Sequence, residues 1–245
     1  MKSFSNTYIF IFSTVMVTIV AILLSFVAEG LRPAQEKNKE VEKKMDILRS
    51  VGKAERAGEV KDKDVYIEEE YSRYITGSYV IDTAGKKKEG IDAFTVDLKV
   101  ELAKPPQERN LPVFVFTADD STHKYIIPMR GRGLWGPIWG YVSFYEDFNT
   151  IYGAIFDHKG ETPGLGAEIN QKFFQVQFVD KKIFDEKGNF VSIRVLKGGA
   201  KPDDIHAVDA ISGGTITSVA VQTMMKNCLG NYEYYFKNAK TNQNE

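Results

Sequence analysis

This chain of 245 residues contains few cysteines and histidines and has almost no net charge. The one cysteine, Cys228, excludes an intrachain disulfide, a Cys-x-x-Cys redox pair and an iron–sulfur cluster held by thiolates. The three histidines are far apart and show no metal-ligand spacing, so we predict no metal site. The 33 acidic residues nearly balance the 32 basic ones, which excludes nucleic-acid binding through bulk positive charge.

Charge is absent between Lys2 and Glu29, and residues 8–28 are strongly apolar. At about 1.5 Å per residue, a helix over this run spans the hydrocarbon core of a bilayer, about 30 Å thick. A cleaved signal peptide is the alternative, but the run is long, little charge precedes it and no Ala-x-Ala site follows. We therefore predict a retained transmembrane helix after a short segment, residues 1–7. Because the run holds no ionisable residue, any ion path lies in partner subunits.

The orientation of this helix is harder to predict. Several basic residues follow the span and only Lys2 precedes it, so the positive-inside rule would place the large domain in the cytoplasm. The rule is weak here, since long domains can cross a membrane regardless of flanking charge. The basic residues that follow are Arg32, Lys37, Lys39, Lys43 and Lys44.

Residues 33–58 are rich in Lys and Glu and predict an amphipathic helix just outside the membrane. Val41, Met45 and Leu48 recur at helical spacing, and Gly52 is suited to end the helix. A solvated spacer is the alternative, and we favour a helix that packs onto the domain.

The remaining pattern predicts an α+β domain over residues 60–236, with a mixed, mostly antiparallel sheet, flanking helices and a polar tail at 237–245. Strict alternation predicts a strand over 94–102. Two hairpins are expected, and a last helix is expected over about 219–229 with Thr217 or Ser218 as its N-cap. The expected hairpins pair 112–116 with 124–129 and 173–179 with 190–196.

Three glycine-rich segments are candidate binding elements. The first, residues 130–140, has four glycines, which let the main chain approach a partner closely, and two large rings, Trp135 and Trp139. A flat ligand, a membrane surface or a protein partner would suit it. The alternative is a glycine-kinked hairpin whose tryptophans fill the core.

The second segment, residues 160–168, has a Thr-Pro-Gly turn in which Pro163 restricts φ and Gly164 frees it. Glu161 and Thr162 would project from this rigid loop. An ordinary tight turn is the alternative.

The third segment, residues 209–218, lies directly before the last helix. Gly213 and Gly214 leave main-chain amides open at a helix N-terminus, a place that favours an anion such as phosphate. The Gly-Lys-Ser/Thr ending of a P-loop is missing. A helix start that is merely capped is the alternative.

Taken together, these segments resemble a family. Asp-x-x-Ser-Gly-Gly-Thr at 209–215 looks like the flavinylation motif of proteins that carry covalent FMN, although the family usually has alanine at the position of Gly214. Glu-Thr-Pro-Gly-Leu-Gly at 161–166 is similar to the family's second signature. With Gly-Leu-Trp-Gly at 133–136, Ile-Leu-Arg-Ser-Val-Gly at 47–52 and the anchor, the chain resembles the C subunits of the sodium-translocating NADH:quinone reductases.

The resemblance implies how FMN is held. Its phosphate would be esterified to the hydroxyl of Thr215, which is a tether and not a nucleophile in turnover, so no catalytic residue is predicted. The flavin phosphate would lie among Ser212, Gly213, Gly214 and Thr217, and Asp209 would help place the hydroxyl or a metal ion during the attachment. The flavin ring would lie near Glu161, Thr162, Gly164 and Leu165, with Leu134 and Trp135 as neighbours.

The resemblance also implies a function: an electron-relay subunit that is not catalytically complete alone. Partner subunits would donate and accept the electrons, and a flavin transferase using FAD would attach the cofactor. The family would place the large domain on the periplasmic face of a bacterial inner membrane, against the lysine count. Two alternatives stay open: the G subunit of the related ferredoxin:NAD electron-transport complex, and a cofactor-free, membrane-anchored binding module.

Overall fold

A computed structural model describes residues 5–242, with side chains described as far as residue 239. The chain divides into two compact units, Met1–Lys43 and Lys44–Glu245. The expected domain, residues 60–236, falls within the second unit. The expected terminal segments 1–7 and 237–245 lie partly outside the described residues.

The described residues form six α-helices and eight strands. The helices are α1 Asn6–Arg49, α2 Lys63–Tyr74, α3 Leu98–Glu101, α4 Lys172–Gln175, α5 Thr215–Gly230 and α6 Glu233–Asn242. The strands are β1 Ile75–Ile81, β2 Lys87–Lys88, β3 Leu111–Thr117, β4 His123–Arg132, β5 Pro137–Phe144, β6 Ile151–His158, β7 Arg194–Leu196 and β8 Ala207–Asp209.

Helix α1 is continuous for 44 residues and includes Pro33. The sequence suggested an apolar anchor followed by a separate amphipathic helix, and the structure instead has one helix. Its apolar stretch is exposed, and among the described residues it is the one helix long and apolar enough to cross a membrane. The helix ends at Arg49, and Gly52 follows with φ of +70°, a conformation that glycine adopts freely.

The main sheet has six antiparallel strands in the order β2-β1-β3-β4-β5-β6, and β7 pairs with β8 in parallel. This confirms the predicted α+β class with a mostly antiparallel sheet. It also confirms the pairing of 112–116 with 124–129, since Phe114 faces Ile126 across β3 and β4.

Helix α5 covers one face of the sheet and closes the core. Gly131 on β4 lies directly against Met224 of α5: a Cβ at Gly131 would stand 2.8 Å from the Met224 Cβ. The thiol of Cys228 donates to the Arg130 carbonyl oxygen at 3.3 Å. Glycine in β4 therefore lets the helix approach the strand that leads into the first glycine-rich turn.

The predicted strand over 94–102 is wrong. Residues Ala93–Thr95 form a 3-10 turn and Leu98–Glu101 form α3. Asp92 accepts a hydrogen bond from the Phe94 amide, and Asp97 accepts one from the Lys99 amide. These local caps favour helical turns over a strand.

The second predicted hairpin is also wrong. Residues 172–178 form α4 and a 3-10 turn, with Phe174 and Phe178 buried one helical turn apart. Of residues 190–196, Arg194–Leu196 form a strand, and it pairs in parallel with β8. The apolar run was too short for periodicity alone to separate a strand from a buried helical turn.

The last helix begins four residues earlier than expected, at Thr215, and its N-cap is Gly214. Thr217 and Ser218 lie inside the first turn. Their hydroxyls bond elsewhere, so the predicted N-caps are wrong.

Candidate functional site

Three segments that are distant in sequence meet at one end of the sheet. The first is the β4–β5 turn, where the Gly133 amide donates to the Gly136 carbonyl at 2.8 Å. The second is the loop 159–166 after β6, and the third is the loop 210–214 before α5. These are the three glycine-rich segments that the sequence singled out.

The Glu161 carboxylate joins the three segments. Its Oε1 accepts a hydrogen bond from the Trp135 amide at 2.9 Å, and its Oε2 accepts one from the Thr217 hydroxyl at 2.6 Å. Glu161 is 4% exposed and makes no ion pair with any residue that the structure describes. Buried carboxylate oxygens need such donors, because burial without hydrogen bonds is costly.

Two glycines leave room for this carboxylate. A Cβ at Gly133 would lie 2.5 Å from Glu161 Oε1, and a Cβ at Gly166 would lie 2.7 Å from Oε2 and closer still to the Thr217 hydroxyl. Both main-chain segments therefore press directly on the carboxylate group.

The second and third segments also touch through Leu165. A Cβ at Gly213 would lie 2.7 Å from Leu165 Cδ2, and a Cβ at Gly214 would lie 2.5 Å from the Leu165 carbonyl oxygen. Gly213 has φ of +76°, which side-chain-bearing residues rarely adopt. Glycine at both positions lets the loops approach this closely.

The start of α5 offers free donors. The first bond within the helix runs from the Ser218 amide to the Gly214 carbonyl at 3.0 Å. The amides of Thr215, Ile216 and Thr217 come before it and have no partner in the helix. Such an end attracts an anion.

The hydroxyls around this helix start differ in their availability. Ser218 is buried, donates to the Gly214 carbonyl at 2.7 Å and accepts from the Ile211 amide at 3.1 Å. Thr217 is buried and donates to Glu161. Thr215 is half-buried, and its hydroxyl has a contact of 3.5 Å to the Ile211 carbonyl. Ser212 is exposed.

Thr162 and Gly164 shape the second loop through their main chains. The Thr162 carbonyl accepts from the amides of Leu165 and Ala167, each at 3.1 Å. Gly164 has φ of +74° and donates its amide to Glu168 Oε1 at 2.9 Å. These bonds form a turn at the position that the Thr-Pro-Gly sequence predicts.

Asp209 is exposed, and its carboxylate accepts from the Ala200 amide at 2.6 Å. Its own amide donates to Gln177 Oε1 at 2.8 Å. Asp209 therefore fixes the loop at 198–200 beside the helix start.

Apolar side chains stand exposed at this end of the sheet. Trp135 is 71% exposed, so the alternative in which both tryptophans fill the core is wrong for this residue. Leu134, Leu165 and Ile216 are also exposed. A flat apolar ligand would bury this surface.

Sequence reasoning missed two residues here, Ile216 and His158, and it included Gly166 only as part of the motif at 161–166. Nδ1 of His158 accepts a hydrogen bond from the Glu161 amide at 3.1 Å, and its Nε2 is buried without a described partner. Ile216 could have been found, because an apolar residue follows directly after the Gly-Gly-Thr run. The role of His158 depends on the fold and carried no local signal, and the contact of Gly166 with Glu161 likewise depends on the fold.

Other chemistry is not supported. Burial raises the pKa of the Cys228 thiol to about 11, so it is not a reactive thiolate. The described residues contain no group of three or more His, Cys, Asp or Glu side chains that could hold a metal ion.

Comparison with known proteins identifies the class. The model of the FMN-binding domain family matches residues 133–230, a range that begins at the first glycine-rich turn and ends with α5. The site and the fold thus define a flavin-binding domain.

Individual relatives are more specific. The C subunit of the Na(+)-translocating NADH-quinone reductase of Neisseria meningitidis serogroup B is 33% identical over 252 residues, covering 96% of this chain and 90% of that protein. The Vibrio vulnificus C subunit is 33% identical over 212 residues, covering 83% of each chain. The chain belongs to the family of the C subunits of the Na(+)-translocating NADH-quinone reductases, as the sequence motifs indicated.

Solved structures agree. The crystal structure of the C subunit from Parabacteroides distasonis matches with a TM-score of 0.73 and 42% identity, covering 84% of this chain and 96% of that one. Shewanella oneidensis NqrC matches with a TM-score of 0.65 and 28% identity, covering 82% and 99%. Membership of this family makes the protein a subunit of an oxidoreductase complex. It also favours the C-subunit assignment over the G-subunit alternative.

The residues present fit FMN. The free amides at the start of α5 suit a phosphate, and the exposed side chains of Leu134, Trp135 and Leu165 suit the flat ring. The family model counts against a cofactor-free module.

Proposed function

We propose that the protein is the electron-relay subunit of a membrane-bound, sodium-translocating NADH:quinone oxidoreductase, and that it carries FMN through a phosphoester to Thr215. The family supports the relay, and the geometry at the start of α5 supports the attachment site. A bound flavin supplies reversible electron acceptance and donation.

One observation supports the assignment of the attachment site: the Thr215 hydroxyl is available. Thr217 and Ser218 commit their hydroxyls to buried partners, at 2.6 and 2.7 Å. The Thr215 hydroxyl reaches its nearest acceptor at only 3.5 Å, beyond the usual length of an O–H···O bond. Thr215 is also the first residue of α5, where unpaired amides would stabilise an attached phosphate.

Attachment has a simple balance. Thr215 Oγ1 forms a bond to the phosphorus at the flavin end of FAD, the diphosphate bond breaks, AMP leaves and the hydroxyl proton is lost. A flavin transferase is the partner that this step requires. Ser212, Gly213, Gly214 and Thr217 then surround the phosphate, and Asp209 holds the adjoining loop.

The ring would lie against Leu134, Trp135 and Leu165, beside Glu161, Thr162 and Gly164. The apolar side chains exclude water from one side of it, and the free helix amides hold the phosphate at the other end. The FMN-binding domain in this proposal comprises residues 60–236.

Helix α1 anchors the protein in the bacterial inner membrane through residues 8–28, with residues 33–58 as the juxtamembrane segment. The large domain is periplasmic, as in the family that the motifs indicate. Electrons enter from and leave to redox centres of partner subunits, ubiquinone is the final acceptor and sodium crosses through those partners. Nucleic acid has no part in this function.

The test is a denaturing gel viewed under ultraviolet light, after co-expression with a flavin transferase. We expect a fluorescent band at the mass of the chain, lost in Thr215→Ala and kept in Thr223→Ala, an exposed threonine on the same helix. Intact mass should show one added FMN less water. Fluorescence that persists in Thr215→Ala and disappears in Ser212→Ala would move the tether to Ser212.

A further inference from the structure

The two oxygens of the Glu161 carboxylate bond to two different parts of the chain. Oε1 holds the Trp135 amide, 26 residues away in sequence, and Oε2 holds the Thr217 hydroxyl, 56 residues away. Both bonds are of good length, and the group is 4% exposed. Removing either donor would leave a buried acceptor unsatisfied, which costs more than the net contribution of the bond itself.

The carboxylate cannot move without the main chain. Gly133 and Gly166 lie so close that a Cβ on either would collide with one of its oxygens. Its own amide is held by His158 Nδ1 at 3.1 Å. Glu161 is therefore fixed at its main chain and at both carboxylate oxygens.

The parts that it joins are the two sides of the proposed flavin site. Trp135 belongs to the turn that presents the exposed apolar rings. Thr217 lies two residues after Thr215 in the first turn of α5. The relative position of tether and turn therefore depends on one buried side chain.

We propose that Glu161 is a positioning residue: its carboxylate fixes the Leu134–Trp135 turn relative to Thr215 and so shapes the flavin site before the cofactor is attached. This inference rests on the proposed function only for what the site binds. Glu161 then acts on the flavin through the turn and the helix, with both of its oxygens committed to the protein.

The matched variants are Glu161→Gln and Glu161→Ala. In Glu161→Gln the amide carbonyl can still accept from the Trp135 amide, and the amide N–H₂ can donate to the Thr217 oxygen, so the geometry survives without the charge. Glu161→Ala removes both bonds. A second pair guards against misfolding: Thr217→Val removes the donor at constant size, and Thr217→Ser keeps it.

The first measurement uses the full chain without flavin, in detergent, and follows hydrogen exchange of the Trp135 amide. We expect exchange at least about tenfold faster in Glu161→Ala, where the Trp135 amide loses its acceptor. We expect a smaller increase in Thr217→Val, where Oε1 remains but Oε2 loses the donor that holds the carboxylate. Wild type, Glu161→Gln and Thr217→Ser should exchange alike. Equal exchange in all five proteins would overturn the proposal, and so would Glu161→Gln behaving like Glu161→Ala.

The second measurement uses the flavinylated chain and records visible circular dichroism and the midpoint potential. Both should change in Glu161→Ala and Thr217→Val while the covalent flavin remains, and both should be preserved in Thr217→Ser. In Glu161→Gln, which keeps both bonds but alters the charge beside the ring, the dichroism should be preserved. An unchanged dichroism and potential in Glu161→Ala would reduce Glu161 to a purely structural role and overturn the inference. If Thr215 is not the tether, the Thr215→Ala variant will keep its covalent flavin. The hydrogen-exchange result would still stand, because it is obtained without flavin.

Discussion

A buried carboxylate at one end of strands β4, β5 and β6 and two exposed carboxylates at the other end differ in the hydrogen bonds that they accept. At the flavin end, Glu161 bonds to groups far along the chain. At the other end two exposed carboxylates bond within their own turns: Asp120 accepts from the Thr122 amide and hydroxyl, and Asp147 accepts from the amides of Asn149 and Thr150. Glu146, also exposed, accepts from the His123 amide of the neighbouring turn. Ten residues of β4 separate the two ends, about 30 Å.

The far end contains an open cavity, whereas the described contacts at the flavin end bring main-chain segments directly against Glu161 and Leu165. A cavity of about 820 Å³ opens between the β3–β4 and β5–β6 turns. Lys124 is buried there and donates to the Thr122 hydroxyl and the His123 carbonyl, with its ammonium over the rings of Tyr145 and Tyr152. Asp120 and Asp147 therefore each stabilise a single turn, whereas Glu161 joins separate segments of the flavin end.

The largest expected effect is at the flavin end. Gly166→Ala places a methyl group against Glu161 and Thr217, and we expect a loss of about 2–3 kcal/mol in the free energy of unfolding from overpacking. Gly160→Ala, six residues earlier in open space, should change it by less than about 0.5 kcal/mol. Urea unfolding followed by tryptophan fluorescence measures both. Equal effects would show that the loops are not in tight contact.

An intermediate effect is expected at the far end. Asp147→Ala removes the acceptor for the Asn149 amide and for the amide and hydroxyl of Thr150. We expect a loss of about 1 kcal/mol, since exposed groups regain water, with no change in the flavin spectrum. Glu186→Ala, an exposed acid elsewhere, is the control. A spectral change in Asp147→Ala would link the two ends.

The smallest effect concerns acid. The Thr122 amide and hydroxyl lower the pKa of Asp120 below its ordinary 3.8. Because the pKa of Asp120 is lower in the folded protein than in the unfolded chain, the ionised carboxylate stabilises the fold at pH values above the ordinary pKa. This stability is lost as the pH falls through the lowered pKa of the folded protein. Asp120→Asn should therefore flatten the fall in urea midpoint between pH about 5 and about 2.5. A fall as steep as in the wild type would contradict the assignment.

The sequence predicted what local chemistry determines. The apolar run 8–28, the β3–β4 hairpin and the rigid Thr-Pro-Gly loop each depend on neighbours in sequence, and the structure has the long helix, the pairing and the turn. The motifs also indicated the right family. Local caps outweighed periodicity at 94–102, where Asp92 and Asp97 form turns.

The contacts between the segments could not be predicted. Nothing in the sequence pairs Glu161 with Trp135 and Thr217, because both bonds depend on how β6 and α5 are placed in the fold. The start of α5 was misplaced for the same reason. Thr217 is a good N-cap residue by type, and its hydroxyl is instead drawn inward to Glu161.

The contact between Gly214 and Leu165 is made at the carbonyl of Leu165, not at its side chain. Exchanging Leu165 for another residue would leave that carbonyl in place, so the contact with Gly214 would survive even where the contact of the Leu165 side chain with Gly213 is lost. The two positions thus differ in their tolerance to substitution. For the contact at the carbonyl, Leu165 can be replaced, whereas Gly214 cannot.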